Sequence, residues 1–196
     1  MKSFAFTALC LVALMSQLFY FPAAGTELLA ANVQSASHHG GKIESKYDGL
    51  ARETVATLRK MKVTCAGGSQ DMFKDSCVSL SASLHCPGVQ LDYVQNAKLQ
   101  VIFESKDWHQ RHAPDERDLV VIVDTTSLRL GRMRLVGQSI DTLNTEILEA
   151  TISYDSFKKI VAGQVVELAV GKGRFELRQK NLEALRDLNN RVKISQ

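Results

Sequence analysis

The residues best suited to chemistry lie in two places. Asp107, His109 and His112 share one polar stretch, with Asp115 close behind. Two neutral imidazoles and a carboxylate can hold a divalent metal and activate its bound water, as a metal-dependent hydrolase requires. The histidines stand at i and i+3, without the helical i, i+4 spacing of H-E-x-x-H, and the segment reads as a loop. The expectation is a polar loop and no metal, with Asp107, His109 and His112 as the ligand set to test. The second place is the start of the last helix. Arg178-Gln179-Lys180 puts cations, and no good capping side chain, where first-turn amides lack partners and the helix dipole is positive. With Arg174 across a hairpin, these groups would suit phosphate, sulfate or a carboxylate, so Arg174, Arg178 and Lys180 are the anion-binding candidates. The competing reading is a surface helix start whose long side chains bend into water.

Other motifs are incomplete. No Gly-x-Ser-x-Gly elbow raises one serine above the rest, and Gly171-Lys172-Gly173 lacks the remainder of a phosphate loop. His38-His39 has no further ligand near it in sequence, and Trp108 reads as a core-packing aromatic at a strand end or as a recognition residue. The sequence contains no cofactor signature.

These residues depend on a frame organised around Tyr154 to Val192. Asp155-Ser156 can cap a turn carrying Phe157, Ile160 and Val161, which Gly163 ends. Val165 to Val170 has the β-branched content of a strand. Gly171-Lys172-Gly173 reverses the chain into Arg174 to Leu177. Leu182, Leu185, Leu188 and Val192 form one helical stripe, which must close over a sheet supplied by the preceding residues.

The preceding residues supply that sheet. Cys77 to Cys86 alternates cleanly, with Val78, Leu80, Ala82 and Leu84 on one face and Ser79, Ser81, Ser83 and His85 on the other. Ala97 to Ser105 and Leu148 to Tyr154 also alternate, and Leu119 to Val123 is apolar on both faces, as the most buried strand would be. After Gly131 the apolar phase switches to Met133 and Leu135, the mark of a β-bulge or tight reversal. Tyr47 to Leu58 fits a helical face or a strand, and Met61 to Cys65 fits a strand. The fold class is α+β and mainly β: an antiparallel sandwich or partly open barrel, closed by a C-terminal hairpin and amphipathic helix.

Lys2, the apolar run Phe4 to Phe21 and the small residues Ala23-Ala24-Gly25 describe a secretory signal over residues 1–25. Residues 26–46 read as a flexible linker and 47–193 as one β-rich domain. Without the signal the chain has 23 basic and 21 acidic side chains, too even a balance to argue for nucleic acid, and nothing later is apolar enough to span a membrane. Export to a periplasmic or extracellular compartment allows disulfides. Cys65, Cys77 and Cys86 would form at most one bridge, leaving one thiol. Along one extended strand Cys77 and Cys86 stand on the order of 30 Å apart, so any bridge involves Cys65, with either partner.

From Tyr47 to Val192 the chain resembles a group of uncharacterised exported bacterial proteins. The resemblance rests on Leu99-x-Val101-x-Phe103-x-Ser105 ahead of Trp108, Tyr154-Asp155-x-Phe157-x-Lys159-Ile160, Val166-Glu167-x-x-Val170-Gly171, Phe175-Glu176-Leu177 and Leu182 to Leu188. It implies a strand at Glu53 to Leu58 and carries no activity with it. Such proteins tend to start the last helix with acidic or hydroxyl residues, where this chain has Arg178-Gln179-Lys180. The functional expectation is a non-catalytic exported module acting through contacts with an envelope or extracellular protein.

Overall fold

Alternating apolar and polar residues build most of the chain into strands. A computed structural model describes residues 39–65, 77–105, 112–140 and 144–192, with backbone only at 64, 65, 77, 105 and 140. The strands are β1 (Ile43–Asp48), β2 (Glu53–Lys62), β3 (Thr64–Cys65), β4 (Cys77–Pro87), β5 (Asn96–Ser105), β6 (Asp118–Val123), β7 (Thr126–Arg132), β8 (Arg134–Ile140), β9 (Asn144–Ser153), β10 (Val166–Val170) and β11 (Gly173–Leu177). Two helices, α1 (Tyr154–Ala162) and α2 (Gln179–Asn190), and the 3-10 turn Pro114–Glu116 complete the described elements.

Among the described residues the fold is mainly β, with two antiparallel sheets and no closed barrel. One sheet has the order β1-β2-β4-β5-β9-β8. The other runs β3-β11-β10-β6-β7, with the two-residue β3 at its edge, so four longer strands carry it. Two corners join the sheets covalently. Between β2 and β3, Val63 donates its N–H to Val78 O (2.8 Å); between β7 and β8, Met133 donates to Arg117 O (2.8 Å). Each corner lies near a register shift, Leu58/Met61 in β2 and Leu119/Val120 opposite β7. A bulge bends a strand and increases its twist, which lets one run serve both sheets. Gly131, at φ +87°, sits at the second of these, where the sequence shows its phase switch.

The inward faces merge into one apolar core. Leu58, Leu80, Leu84, Leu99 and Leu148 of the first sheet join Leu119, Val121, Leu168 and Phe175 of the second. Phe157, Ile160 and Val161 of α1 and Leu182, Ala184, Leu185 and Leu188 of α2 belong to the same core. Helix α2 touches β2, β4 and β11, so its apolar stripe reaches both sheets.

Several expectations need correction. Ile43 to Lys46, expected in the linker, pair with β2 from Ile43↔Leu58 to Lys46↔Val55, so the folded part starts before Tyr47. The helical alternative for Tyr47 to Leu58 gives way to a β1–β2 hairpin, because burial alternates along β2. Ser153, not Asp155-Ser156, caps α1: its Oγ accepts from Ser156 N at 3.1 Å. Leu119 and Val121 are buried, but Val120, Ile122 and Val123 are only half-covered, so β6 is not buried on both faces. Cys86 is a buried free thiol, on the apolar side where its alternation placed it. Burial, with Asp92 and Glu53 nearby, pushes its pKa up to about 11. The signal expected over residues 1–25, residues 26–38, Asp107, Trp108 and His109 lie outside the described residues. Among the described residues no helix is long and apolar enough to cross a membrane.

Candidate functional site

Strand alternation assembles a polar surface on the outward face of the six-stranded sheet. Register sets Ser83 between Thr57 and Lys98, Ser81 opposite Gln100, and Gln100 opposite Glu149. Serines are short and their neighbours on β2 and β5 are longer, so β4 forms the floor of a trough. Its volume is about 230 Å³, and Val55, Thr57, Ser81, Ser83, His85, Lys98, Gln100 and Glu149 line it.

At one end, three polar side chains form a directed chain. Glu53 Oε1 lies 3.0 Å from His85 Nδ1, and His85 Nε2 lies 3.1 Å from Ser83 Oγ. An ionised carboxylate only accepts, so Nδ1 carries a proton; in the neutral ring Nε2 is then the acceptor and the serine hydroxyl the donor. The sequence explains how these groups meet. Ser83 and His85 are i and i+2 on one strand face, and Glu53 lies diagonally across from His85, which pairs with Val55. The histidine side chain is 11% exposed and that of Glu53 27%.

The other end is charged. Glu149 accepts from Gln100 Nε2 (2.9 Å) and from Arg134 Nη2 (3.2 Å). Burial raises its pKa, but the Gln100 hydrogen bond and the Lys98 and Arg134 charges outweigh that and hold the carboxyl below its ordinary value.

Beside the trough, two loops meet at the end of the sheet that holds Glu53. Gly88 N donates to Arg52 O (2.8 Å) and Thr54 Oγ1 to Gly88 O (2.8 Å), tying the β1–β2 turn to the β4–β5 loop. Together they present Leu50, Val89 and Tyr93, which are 99%, 72% and 67% exposed.

Of the residues singled out by sequence, His112, Arg174 and Arg178 have partners within the fold. His112 is buried, with Nδ1 2.8 Å from Glu146 Oε2 and its ring 4.4 Å from that of Phe103. Arg117 adds a contact to the same carboxylate at 3.8 Å, so this histidine belongs to a largely buried polar cluster. Among the described residues, no three His, Cys, Asp or Glu side chains stand close enough to hold a metal. Arg174 pairs with Glu167 at 3.2 Å across the β10–β11 hairpin. At the start of α2, the amide of Arg178 donates to Asn181 Oδ1 (3.0 Å) and the amide of Asn181 to Arg178 O (2.8 Å). The amides of Arg178 and Asn181, at the end where Arg174, Arg178 and Lys180 are the anion candidates, thus have partners within the chain. Glu53, Ser83 and His85 form no motif in the sequence, because register alone joins them. The one local signal was a serine and a histidine two apart on the polar face of a clean strand. No protein-family model, curated protein or solved structure matches this chain.

Proposed function

We propose that this chain is an exported β-rich module that works through contacts with an envelope or extracellular protein. The paired loops around Leu50 and Tyr93 are its contact surface. The observation that carries the reading is the exposure of Leu50, Val89 and Tyr93 on two loops that are tied together. Apolar and aromatic side chains held out from a rigid scaffold are the usual anchors of a protein interface. The near-even charge balance and the N-terminal run Phe4 to Phe21 support export and a protein partner over nucleic acid. In this reading the two sheets form a sandwich whose open side is closed by the β10–β11 hairpin and α2.

Capture from native envelope extract tests it, using the mature chain and a Leu50→Ser, Val89→Ser, Tyr93→Ser variant. The parent should retain a protein that the variant loses at unchanged thermal stability. Equal recovery by both, or none by either, overturns the reading.

A further inference from the structure

Beyond contact with a partner, we propose that Ser83, His85 and Glu53 form an acyl-transfer centre that hydrolyses small carboxylic esters in the trough. The order of atoms is that of a serine hydrolase: carboxylate to Nδ1 (3.0 Å), Nε2 to hydroxyl (3.1 Å). Reversing either contact would give a hydrogen-bonded histidine with no basic nitrogen facing the serine. A histidine nine-tenths buried and held by a carboxylate at Nδ1 keeps Nε2 turned to the serine, which is the orientation a general base requires.

Two further features turn the hydrogen-bond chain into a site. Ser83 faces an open trough of about 230 Å³, room for a short acyl group against Val55. Lys98 stands directly across from Ser83 in the register and lines the same trough, so in this centre its ammonium serves an oxyanion forming on a carbonyl attacked there. The backbone amides of a central strand are committed to its neighbours, so a side-chain cation has to fill that role.

The chemistry balances with these groups alone. A lone pair of Ser83 Oγ forms a bond to the ester carbonyl carbon while its proton moves to His85 Nε2. The carbonyl π pair becomes the oxyanion that faces Lys98. Collapse of this intermediate breaks the carbon–oxygen bond to the alcohol, which leaves with the bonding pair and takes the proton from Nε2. Water then attacks the acyl-Ser83 ester, giving its proton to Nε2, and the second collapse returns that proton to Oγ and releases the carboxylic acid. Glu53 stabilises the imidazolium in both halves and remains ionised.

A fluorophosphonate probe and p-nitrophenyl acetate test the centre in the full mature chain. One phosphonyl group should appear on Ser83 by peptide mass spectrometry, and p-nitrophenyl acetate should give a burst of one nitrophenolate per chain. Ser83→Ala should remove both, His85→Gln should slow labelling by about 100-fold or more, and Ser127→Ala should leave both intact. Ser83→Cys should exchange phosphonyl labelling for iodoacetamide alkylation that depends on His85. Urea midpoints of all variants control for folding. Label or burst that survives Ser83→Ala, or a folded parent that takes no label at Ser83, overturns the proposal. Partner capture depends on Leu50, Val89 and Tyr93 and is untouched by Ser83→Ala, so the two readings fail separately.

Discussion

Asn181 serves Arg178 and Lys62 at once. Its Oδ1 accepts the Arg178 amide proton at 3.0 Å, and its Nδ2 donates to the Lys62 carbonyl at 2.9 Å. A side chain 1% exposed thereby closes the first turn of α2 and fastens it to the end of β2. Replacing it leaves both an amide and a carbonyl without partners. Asn181→Ala should cost roughly 1–3 kcal/mol. Asn181→Asp keeps the acceptor but turns a charge on the Lys62 carbonyl, so it should also destabilise. Urea midpoints decide this, and an alanine variant within error of the parent would show that the tie contributes nothing.

That residue shows where sequence reading reaches and where it stops. The alternation of Val78 to Leu84 against Ser79 to His85 is strong enough to give both the strand and its buried face. The stripe Leu182, Leu185, Leu188 likewise gives the helix and its docked side. Neither pattern contains pairing. Glu53 and His85 are 32 residues apart in sequence and meet only through the β2–β4 register. The cap of α2 was invisible for a related reason. Arg178, Gln179 and Lys180 are poor caps, and the group that supplies the acceptor stands one turn later and also depends on Lys62. The linker expectation failed at Ile43 because an edge strand facing water lacks the apolar periodicity that marks an inner one.

Leu185 should be a sensitive position of the closing helix. It is 0% exposed, in the core that joins α2 to both sheets. Leu185→Ala should lower stability by roughly 2–5 kcal/mol. A urea midpoint unchanged by the substitution would refute a docked α2.

Glu149 makes stability depend on acid. Its folded pKa lies below the ordinary 4.5 because the Gln100 bond and the Lys98 and Arg134 charges overcome the cost of burial. A group whose pKa is depressed by folding contributes stability above its unfolded pKa and loses it as pH falls through the folded one. The contribution is therefore complete at pH 7, starts to fall near about pH 4.5 and is gone once the pH drops below the folded value. Glu149→Gln should be less stable than the parent at pH 7, and the gap in urea midpoint should narrow toward pH 3. A gap that stays constant over that range would mean that the charge of Glu149 does not matter to folding.

Gly171 and Gly131 separate two costs of adding a methyl group. Both have left-handed backbones, with φ of +56° and +87°, so alanine at either pays for that conformation, roughly 1–2 kcal/mol. Their surroundings differ. A Cβ on Gly131 would meet nothing within 4 Å, whereas one on Gly171 would stand 2.4 Å from Glu116 O. That oxygen is backbone in the 3-10 turn Pro114–Glu116, and Lys172 Nζ holds the Glu116 side chain at 3.1 Å. Gly171→Ala should therefore destabilise distinctly more than Gly131→Ala, and the excess measures how closely the β10–β11 turn packs on the segment leading into β6. Equal midpoints for the two variants would show that the hairpin is free to move away from Glu116.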